Sequence, residues 1–402
     1  MSEITRADLE RVIEASNGVL RPEVFWNSNF WTPSGRRMNL PDDQVDRGEA
    51  GEVVERWLAS TTEVDGPGVP PGTGLSTVQA STGDRFLLKD AEQLVPGLVM
   101  GAEYAATHSH LGRLCKILDY GYRIPMHIHP PQVHADLVHQ SSKDEAYYFP
   151  SGVDMGPQPE TFLGVHPWLV GQGAQDLIHE ELVAWDSDEI LAYSRGYKQM
   201  YEEGFYAPSG LLHAPGSALT IELQESADTI SLFQAWSVCR ILDKAMLYKN
   251  ITEEDKARLA ERAPMRWVDW ELNADPDLYA KLHISPVVFS EGPWGSEAWI
   301  FHGNYKKFSG KRLIVKPGAK ATVVEKGAYN LLAWKGTGTI AGETVTGQVP
   351  GQDELFLCHP TATQAHEVVN TGSEDLVIVK FFGPDVNPDA PACGVDWDGL
   401  KF

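Results

Sequence analysis

The sequence has few basic residues and few cysteines. Lysine and arginine total 33 against 56 aspartates and glutamates, which leaves a formal net charge of −23. Because nucleic acids and anionic membrane surfaces attract proteins through basic patches, this balance argues against both as partners. The cysteines are widely spaced, form no C-x-x-C pair and indicate ordinary reduced thiols: Cys115, Cys239, Cys358 and Cys393.

The sequence also lacks a long apolar run and a secretory leader. Its start, MSEITRADLERVIEASNGVL, contains acidic residues and has neither an apolar core nor a small-residue cleavage site. We therefore expect a soluble, cytoplasmic protein. With 402 residues and 42% apolar content, the chain can bury one large core or two ordinary ones, and two domains are the default expectation.

Most of the chain has short apolar segments broken by glycine and proline, a pattern typical of β-barrels. The pattern begins near Leu114 with CKILDYG and EAYYFP, and it returns from about Pro286 with KRLIVKPG, YNLLAWKG, DELFLCHP, AHEVVNTG and DLVIVKFF. We expect a mainly β protein with a helical N-terminal arm and helical insertions. The predicted boundaries are an arm and connector at 1–70, a first barrel at 71–240, a helical linker at 241–285 and a second, smaller barrel at 286–402.

Four segments favour helices. Thr5 and Asp8 have capping-box spacing, GEVVERWLAS is helix-like, and AQDLIHEELVAWDSDEILAYS predicts a helical insertion at about 172–199. The stretch TEEDKARLAERAP has a Thr252 cap, acidic residues in its first turn and Pro264 as a stop signal.

One histidine pair has the spacing of a metal site. His127 and His129 are two residues apart, so on a strand both side chains point to the same face. Glu145 is the nearest suitable carboxylate, and the turn PSGLLH returns a strand with His213 near its start. Three imidazoles and one carboxylate suit zinc, manganese, iron or nickel and leave coordination positions for substrate oxygens. Four further histidines are predicted to lie in loops: His108, His110, His134 and His139.

These motifs occur in an order that resembles the type I mannose-6-phosphate isomerases of the cupin superfamily. Gly121-(x5)-His127-x-His129 and Glu145-(x6)-Gly152 match the two halves of the cupin motif. The segments CKILDYGYRIPMHIHP, SSKDEAYYF and GLLHAPGSALTIELQESADT are similar to ordered motifs of that family. The resemblance covers roughly residues 51–229 and implies a bicupin, which consists of two jelly-roll β-barrels, with one divalent metal ion, zinc in the first place and manganese or iron as alternatives.

The resemblance also implies roles for individual residues. His129, Glu145 and His213 match metal ligands of the family, whereas His127 stands where the family usually has glutamine. Lys116 and Lys143 match lysines of the family's active site. Glu222 joins them as a candidate for proton transfer, although counting along the strand does not decide whether it faces the metal.

One departure concerns the substrate. The family's phosphate-binding arginine lies four residues after the Asp of a Ser-x-Asp motif, and the corresponding residue here is Leu232. Because arginine is the side chain best shaped to hold a phosphate, an unphosphorylated sugar becomes a serious candidate beside a sugar phosphate. To replace that arginine, Arg113, Arg240 or the two lysines would have to converge on the site, which the sequence alone does not show.

The second barrel contains an incomplete motif. PGQDELFLCHPTATQAHEVVNTG ends with His366 and Asn370, but the partner segment has only Ala, Thr and Val at the expected histidine positions. One histidine cannot make a transition-metal site, so we expect a degenerate cupin without metal. The alternative is a sugar-binding or regulatory pocket that uses Trp334.

The leading hypothesis is a metal-dependent aldose–ketose isomerase that acts on mannose 6-phosphate or a related sugar through an enediol, with oligomerisation left open. One alternative is an iron-dependent cupin dioxygenase, which uses the same type of ligand set. The other is a sugar-binding cupin without catalysis.

Overall fold

The computed structural model describes residues 4–66, 68–79, 83–170 and 173–394. They form two compact units, each assembled from separate stretches of chain. The first unit contains residues 4–26, Arg56–Ile117 and Ser285–Ala392, and the second contains Asn27–Glu55, Leu118–Ile284 and residues 393–394. The serial domain boundaries drawn from the sequence stay predictions, and the parts of them that fall in the gaps, such as Gln172 and residues 395–402, lie outside the described residues.

The helices are short, apart from α1 and α8. They are α1 (Arg6–Ala15), α2 (Asp42–Val45), α3 (Leu88–Leu94), α4 (Pro96–Val99), α5 (Ala102–Ala105), α6 (Gln132–Ala135), α7 (Pro167–Val170), α8 (Ala174–Ala184), α9 (Glu253–Leu259), α10 (Arg262–Met265), α11 (Trp270–Asn273), α12 (Leu278–Leu282) and α13 (His359–Ala362). Single 3-10 turns occur at Gly48–Ala50, Asp136–Val138, Glu189–Tyr193 and Lys244–Leu247.

Strands make up most of the regular structure. They are β1 (Val19–Pro22), β2 (Phe25–Asn29), β3 (Glu52–Leu58), β4 (Thr77–Gln79), β5 (Arg85–Leu87), β6 (Arg113–Leu118), β7 (His127–Ile128), β8 (Glu145–Tyr148), β9 (Glu160–Val165), β10 (Ser194–Lys198), β11 (Gly204–Ala207), β12 (His213–Ala214), β13 (Thr220–Glu225), β14 (Ser231–Leu232), β15 (Trp236–Ser237), β16 (Arg240–Ile241), β17 (His283–Ile284), β18 (Val287–Gly292), β19 (Gly295–Phe301), β20 (Ser309–Val315), β21 (Lys320–Val323), β22 (Tyr329–Lys335), β23 (Thr337–Ile340), β24 (Glu343–Thr346), β25 (Glu354–Leu357), β26 (His366–Asn370) and β27 (Leu376–Phe382).

The first unit is built on two antiparallel sheets. The larger has the strand order β18-β19-β20-β27-β22-β25-β1-β4-β5, and the smaller has the order β21-β26-β23-β24. Leu313 and Val315 of β20 share one apolar core with Val323 of β21. Because side chains alternate across a strand, this shared core places the inner faces of the two sheets against each other. Helix α1 buries Leu9 and Val12 in a separate apolar cluster of the same unit.

The second unit positions the candidate site. Its five-stranded sheet has the order β10-β9-β12-β7-β14, and β17, β11, β8 and β13 are neighbours in a second sheet. Met126 and Ile128 flank His127 and pack with Ile178 and Leu182 of α8 in one apolar cluster. Since alternate residues point to opposite faces, α8 covers the outer face of the five-stranded sheet and His127 points to the inner face.

Several predicted elements are confirmed. Thr5 and Asp8 form the expected capping box at the start of α1, and the Thr252 hydroxyl caps α9 by accepting the Asp255 N–H at 3.1 Å. Each of the five apolar segments quoted after Pro286 contains at least one strand, from β20 to β27. The mainly β, antiparallel fold class is therefore confirmed, whereas the division into two cupins stays an interpretation.

The helix predicted over GEVVERWLAS is wrong, because Glu52–Leu58 form strand β3. Residues 53–58 are all buried, so apolar side chains lie on both faces. A short run that is buried on both faces does not show the period that separates a strand from a helix, and its adjacent valines favour the strand.

Two helix ends also differ from the prediction. The insertion predicted at about 172–199 is helical in α8 but ends in strand β10, whose backbone pairs with β9. This pairing is non-local, and local propensity does not reveal it. Helix α9 ends at Leu259, before Pro264, and Pro264 lies within the one-turn α10, where the missing N–H costs little. Within the described residues, no helix combines the length and apolarity that crossing a lipid bilayer requires.

Candidate metal centre

Four side chains of the second unit converge on one point. His127 belongs to β7, His129 follows it directly, Glu145 begins β8, and His213 begins β12. One ligand atom from each lies within 4.8 Å of those of the other three, and all four residues are buried. The structure thus brings together the four residues that the sequence analysis selected, from strands of both sheets.

A glycine turn brings His213 to its position. Leu211 closes a turn by donating its N–H to the Pro208 carbonyl, and Gly210 within it has a φ of +86°. A Cβ on this glycine would lie 3.0 Å from the Trp267 carbonyl oxygen, so both conformation and space favour glycine there. The Gly210 N–H also donates to the carbonyl of His129 at 3.0 Å, which ties the turn to the other end of the site.

Backbone carbonyls orient all three imidazoles. Each Nδ1 lies within hydrogen-bonding distance of a carbonyl oxygen: 2.8 Å for His127 and Pro125, 2.7 Å for His129 and Thr229, and 2.8 Å for His213 and Leu211. A carbonyl oxygen only accepts, so Nδ1 must carry the hydrogen. In a neutral ring of this tautomer, Nε2 has no hydrogen and offers a lone pair to the centre of the cluster.

Burial keeps two of these rings neutral. It holds the pKa of His127 well below its ordinary value, an effect that the neighbouring His213 reinforces. It likewise lowers the pKa of His129 to about 3, with a further contribution from Lys143. Neutral His129 therefore directs an Nε2 lone pair at Oε2 of Glu145 from 3.0 Å. Two lone-pair acceptors this close repel each other, and a cation bound between them removes the repulsion.

The surroundings of Glu145 favour the ionised form of its carboxyl group, which is the form that binds a metal. Burial opposes its ionisation, but the charge of Lys143 outweighs burial and holds the pKa of the Glu145 carboxyl well below its ordinary value. Lys143 Nζ lies 2.8 Å from Oε2 of Glu145, and the Lys143 side chain is 8% exposed. Lys143 is therefore a buried neighbour of the cluster rather than a surface lysine.

The strand register decides the orientation of Glu222. In the antiparallel pair of β8 and β13, Gln224 lies opposite Glu145 and Glu222 lies opposite Tyr147. Residues directly opposite each other share a face, and so do residues two apart along a strand. Glu222 consequently projects from the same face of the sheet as Glu145, which the sequence alone left open.

Three basic residues named in the sequence analysis have the following environments. Lys116 belongs to the first unit, where its Nζ lies 4.9 Å from the centroid of the Trp57 ring. Arg113 also belongs to that unit and donates to the Ala59 carbonyl at 3.2 Å, and Arg240 is exposed on β16. Among the described residues the metal-binding cluster includes none of the histidines that we assigned to loops, namely His108, His110, His134 and His139. The loop prediction is wrong for His134, which belongs to the one-turn helix α6.

In the first unit, the two polar residues of the incomplete motif, His366 and Asn370, make structural hydrogen bonds. His366 lies on β26, and its Nε2 is 2.9 Å from the Tyr329 hydroxyl. The Asn370 side chain donates to the carbonyls of Val315 and Glu374 at 2.7 Å each. Neither side chain joins a cluster of metal-ligating groups within the part of the chain that the structure describes.

Sequence reasoning missed a second polar group in the second unit. The Tyr120 hydroxyl donates to Oε1 of Glu55 at 2.5 Å, and the amides of Asn27 and Asn29 donate to Glu55 and to Tyr120 at 2.9 and 2.8 Å. Burial, Glu55 and the nearby Glu222 raise the pKa of Tyr120 well above its ordinary value. No motif joins these residues, because they come from separate stretches of the chain.

The fold and the site define a mainly β protein with a buried place for one divalent metal ion. Solved structures of mannose 6-phosphate isomerases have the same fold. The enzyme from Bacillus subtilis matches with a TM-score of 0.63 and 15% identity over 90% of this chain and 99% of that chain. A zinc-bound mannose 6-phosphate isomerase matches with a TM-score of 0.64 and 11% identity over 91% of this chain and 100% of that chain.

A variant of phosphomannose isomerase from Salmonella typhimurium gives a TM-score of 0.63 at 10% identity, over 91% of this chain and 100% of that chain. These matches confirm, at the level of fold, the resemblance that the motifs indicated. No protein-family model and no curated protein matches this sequence.

Proposed function

We propose that this protein is a metal-dependent aldose–ketose isomerase of the mannose-6-phosphate isomerase type, acting on mannose 6-phosphate or a related sugar, phosphorylated or not. The observation that carries the proposal is the orientation of the three imidazoles. Each Nδ1 faces a backbone carbonyl, so that the Nε2 atoms and the Glu145 carboxylate point to one buried centre. Such a donor set binds a divalent cation.

The residues that would hold the metal are His127, His129, Glu145 and His213. A divalent ion bound there supplies a Lewis acid for adjacent oxygens of a sugar. Zinc is the proposed ion, in keeping with the zinc-bound structure of the same fold, and manganese or iron are alternatives that nitrogen and carboxylate ligands also accept.

The chain must also move a proton between two carbon atoms of the sugar. In the aldose-to-ketose direction a base removes the proton from C2, the C1 oxygen gains a proton, and an enediol forms. The C2 oxygen then loses its proton, and C1 gains one. Glu222 is the proposed base because it projects from the same sheet face as Glu145. Lys143 orients Glu145 through their ion pair, and Lys116 stays a candidate from the resemblance alone.

The second barrel, residues 286–402, is proposed to be a degenerate cupin that holds no metal. The contact between His366 and Tyr329 supports this interpretation, because it gives the remaining histidine of the motif a structural partner. A pocket around Trp334 is less favoured, since that side chain is buried. We further propose that the protein is cytoplasmic and binds neither nucleic acid nor membranes.

The decisive experiment combines metal analysis with a solvent isotope assay on one sample. Purified protein is incubated in deuterium oxide with paired phosphorylated and unphosphorylated sugars, and deuterium at C1 or C2 is measured. Exchange that depends on the metal supports isomerisation. Sugar binding without exchange would indicate a binding protein, and stoichiometric iron with oxygen uptake on substrate addition would indicate a dioxygenase.

A further inference from the structure

The turn that precedes His213 is held by a side chain from the segment predicted as a helical linker, 241–285. Asn273 is the last residue of the one-turn helix α11, and it is completely buried. We propose that Asn273 is a positioning residue of the metal centre, which fixes the backbone of the turn that leads into His213. The inference rests on the proposed function, because it concerns the metal centre on which that function depends.

The Asn273 amide bonds to the turn through both of its polar atoms. Its Nδ2 donates to the Gly210 carbonyl at 2.7 Å, and its Oδ1 accepts the Leu212 N–H at 2.9 Å. Nδ2 also donates to the Asp269 carbonyl at 2.7 Å. A carbonyl only accepts and a backbone N–H only donates, so these partners leave one possible orientation of the amide. One side chain thus holds the peptide groups on both sides of Leu211.

One of these peptide groups also contacts the His213 ring. The Leu212 N–H and the Leu211 carbonyl belong to the same peptide unit, which is planar and trans, so the two groups point in opposite directions. The N–H points to Oδ1 of Asn273, and the carbonyl oxygen lies 2.8 Å from Nδ1 of His213. Asn273 therefore sets the direction of the carbonyl that fixes the tautomer and the orientation of the His213 ring.

The same turn contacts the backbone beside two further ligands. The Gly210 N–H donates to the carbonyl of His129 at 3.0 Å. The Ser209 N–H donates at 2.9 Å to Oδ1 of Asp144, the residue before Glu145. A displacement of the turn would consequently change hydrogen bonds next to three of the four candidate ligands.

Asn273 is itself fixed by contacts that lie away from the cluster. Arg195 of β10 donates to the backbone carbonyls of Asn273 and Asp275. The Asp269 side chain caps α11 by accepting the Leu272 N–H at 3.0 Å. These contacts hold the amide in place without any metal, as a residue that preorganises a metal ligand requires.

The test is a cobalt titration of the full chain, because Co²⁺ accepts the same nitrogen and carboxylate ligands as zinc and its d–d absorption bands report their geometry. Asn273→Asp keeps an acceptor for the Leu212 N–H but puts an acceptor in place of the donor to Gly210 and Asp269. We expect the dissociation constant for cobalt, measured by competition with a chelator, to rise ~10–100-fold, as is usual when a partner of a metal ligand is lost. The d–d bands should change in position or intensity.

Asn370 provides a matched control in the first unit. It is also buried, donates to the carbonyls of Val315 and Glu374, and accepts the Gly372 N–H at 2.8 Å. Asn370→Asp thus loses the same kind of buried amide donor. We expect it to lower the free energy of unfolding, as Asn273→Asp does, and to leave the cobalt affinity and the d–d bands unchanged.

A folded Asn273→Asp protein with the cobalt affinity and spectrum of the wild type would overturn the inference, and so would an equal loss of affinity in Asn370→Asp. If Asn273→Asp does not fold, Asn273→Ser, which leaves room for water in place of the amide, is measured with the same expected and contradicting results. A wild-type protein that binds no cobalt would refute the metal centre and this inference with it. Normal metal binding without isomerase activity would refute the proposed function alone.

Discussion

His127 and His213 are direct partners in the ladder between β7 and β12, with ring centroids 4.1 Å apart. Backbone hydrogen bonding between strands thus fixes the separation of two imidazoles before any ligand binds. Because both Nδ1 atoms are also held by carbonyls, neither ring needs to reorient on binding, and the site is preorganised.

The first prediction concerns the ligands themselves. His213→Ala and His127→Ala should each lose most of the bound metal. Removing a residue that only supports a ligand typically lowers metal affinity ~10–100-fold, and removing a ligand itself should lower the affinity further. Metal content is measured after dialysis, and His134→Ala, outside the cluster, is the control. A full metal complement in either ligand variant would contradict the assignment.

The second prediction concerns Lys143. Its charge lowers the pKa of both Glu145 and His129, so Lys143→Met should raise both pKa values. Metal binding requires deprotonated ligands, and protons would then compete at a higher pH. The pH at which half of the metal is lost should rise by about one unit or more. Metal content is measured from neutral to acidic pH beside Lys198→Met, an exposed control, and coincident curves would refute the role of Lys143.

The third prediction concerns Leu232. Leu232 is the ladder partner of His127, and Leu232→Arg should shift the preference toward phosphorylated sugars, by about tenfold for one charge-assisted contact. The ratio of kcat/KM for mannose 6-phosphate and mannose is the measurement, with Leu232→Met as an apolar control of similar size. An unchanged ratio in a folded Arg variant would count against the role of this position.

The fourth prediction concerns a buried pair of acids in the first unit. Arg56 contacts Asp353 at 2.7 Å and Glu354 at 3.1 Å. Burial, followed by repulsion from Asp353, raises the pKa of Glu354 from 4.5 to about 7 against the opposing effect of Arg56. The folded protein therefore binds a proton that the unfolded chain releases between these values, so this group's contribution to stability is full below pH 4.5 and is lost as the pH rises toward 7.

Glu354→Gln isolates this contribution because glutamine does not titrate. The free energy of unfolding of the wild type relative to Glu354→Gln should fall between about pH 5 and about pH 7.5, by up to roughly 3 kcal/mol. Urea denaturation of both proteins at each pH gives the difference and cancels titrations that they share, including those of the histidines. A difference that stays constant with pH would show that Glu354 keeps the same charge throughout.

The candidate site was accessible from the sequence because its chemistry is concentrated in short motifs. His127, His129 and Glu145 lie within one stretch, and His213 follows a turn whose glycine and proline are visible in the sequence. The polar group of Glu55 and Tyr120 has no such signature. Tertiary structure alone brings its members together, and a single sequence contains no local pattern that would predict this contact.

The amino-acid sequence by itself determined the mainly β character, the helix caps at Thr5 and Thr252, and the set of candidate ligands. These features depend on residue type and short spacing, which local physical chemistry interprets directly. Only the tertiary structure decided that residues 52–58 form a strand, that Glu222 shares a face with Glu145, and that carbonyls fix the tautomers of the histidines. Each of these depends on pairing between distant segments, since strand register and buried hydrogen bonds arise from partners that lie far away in sequence.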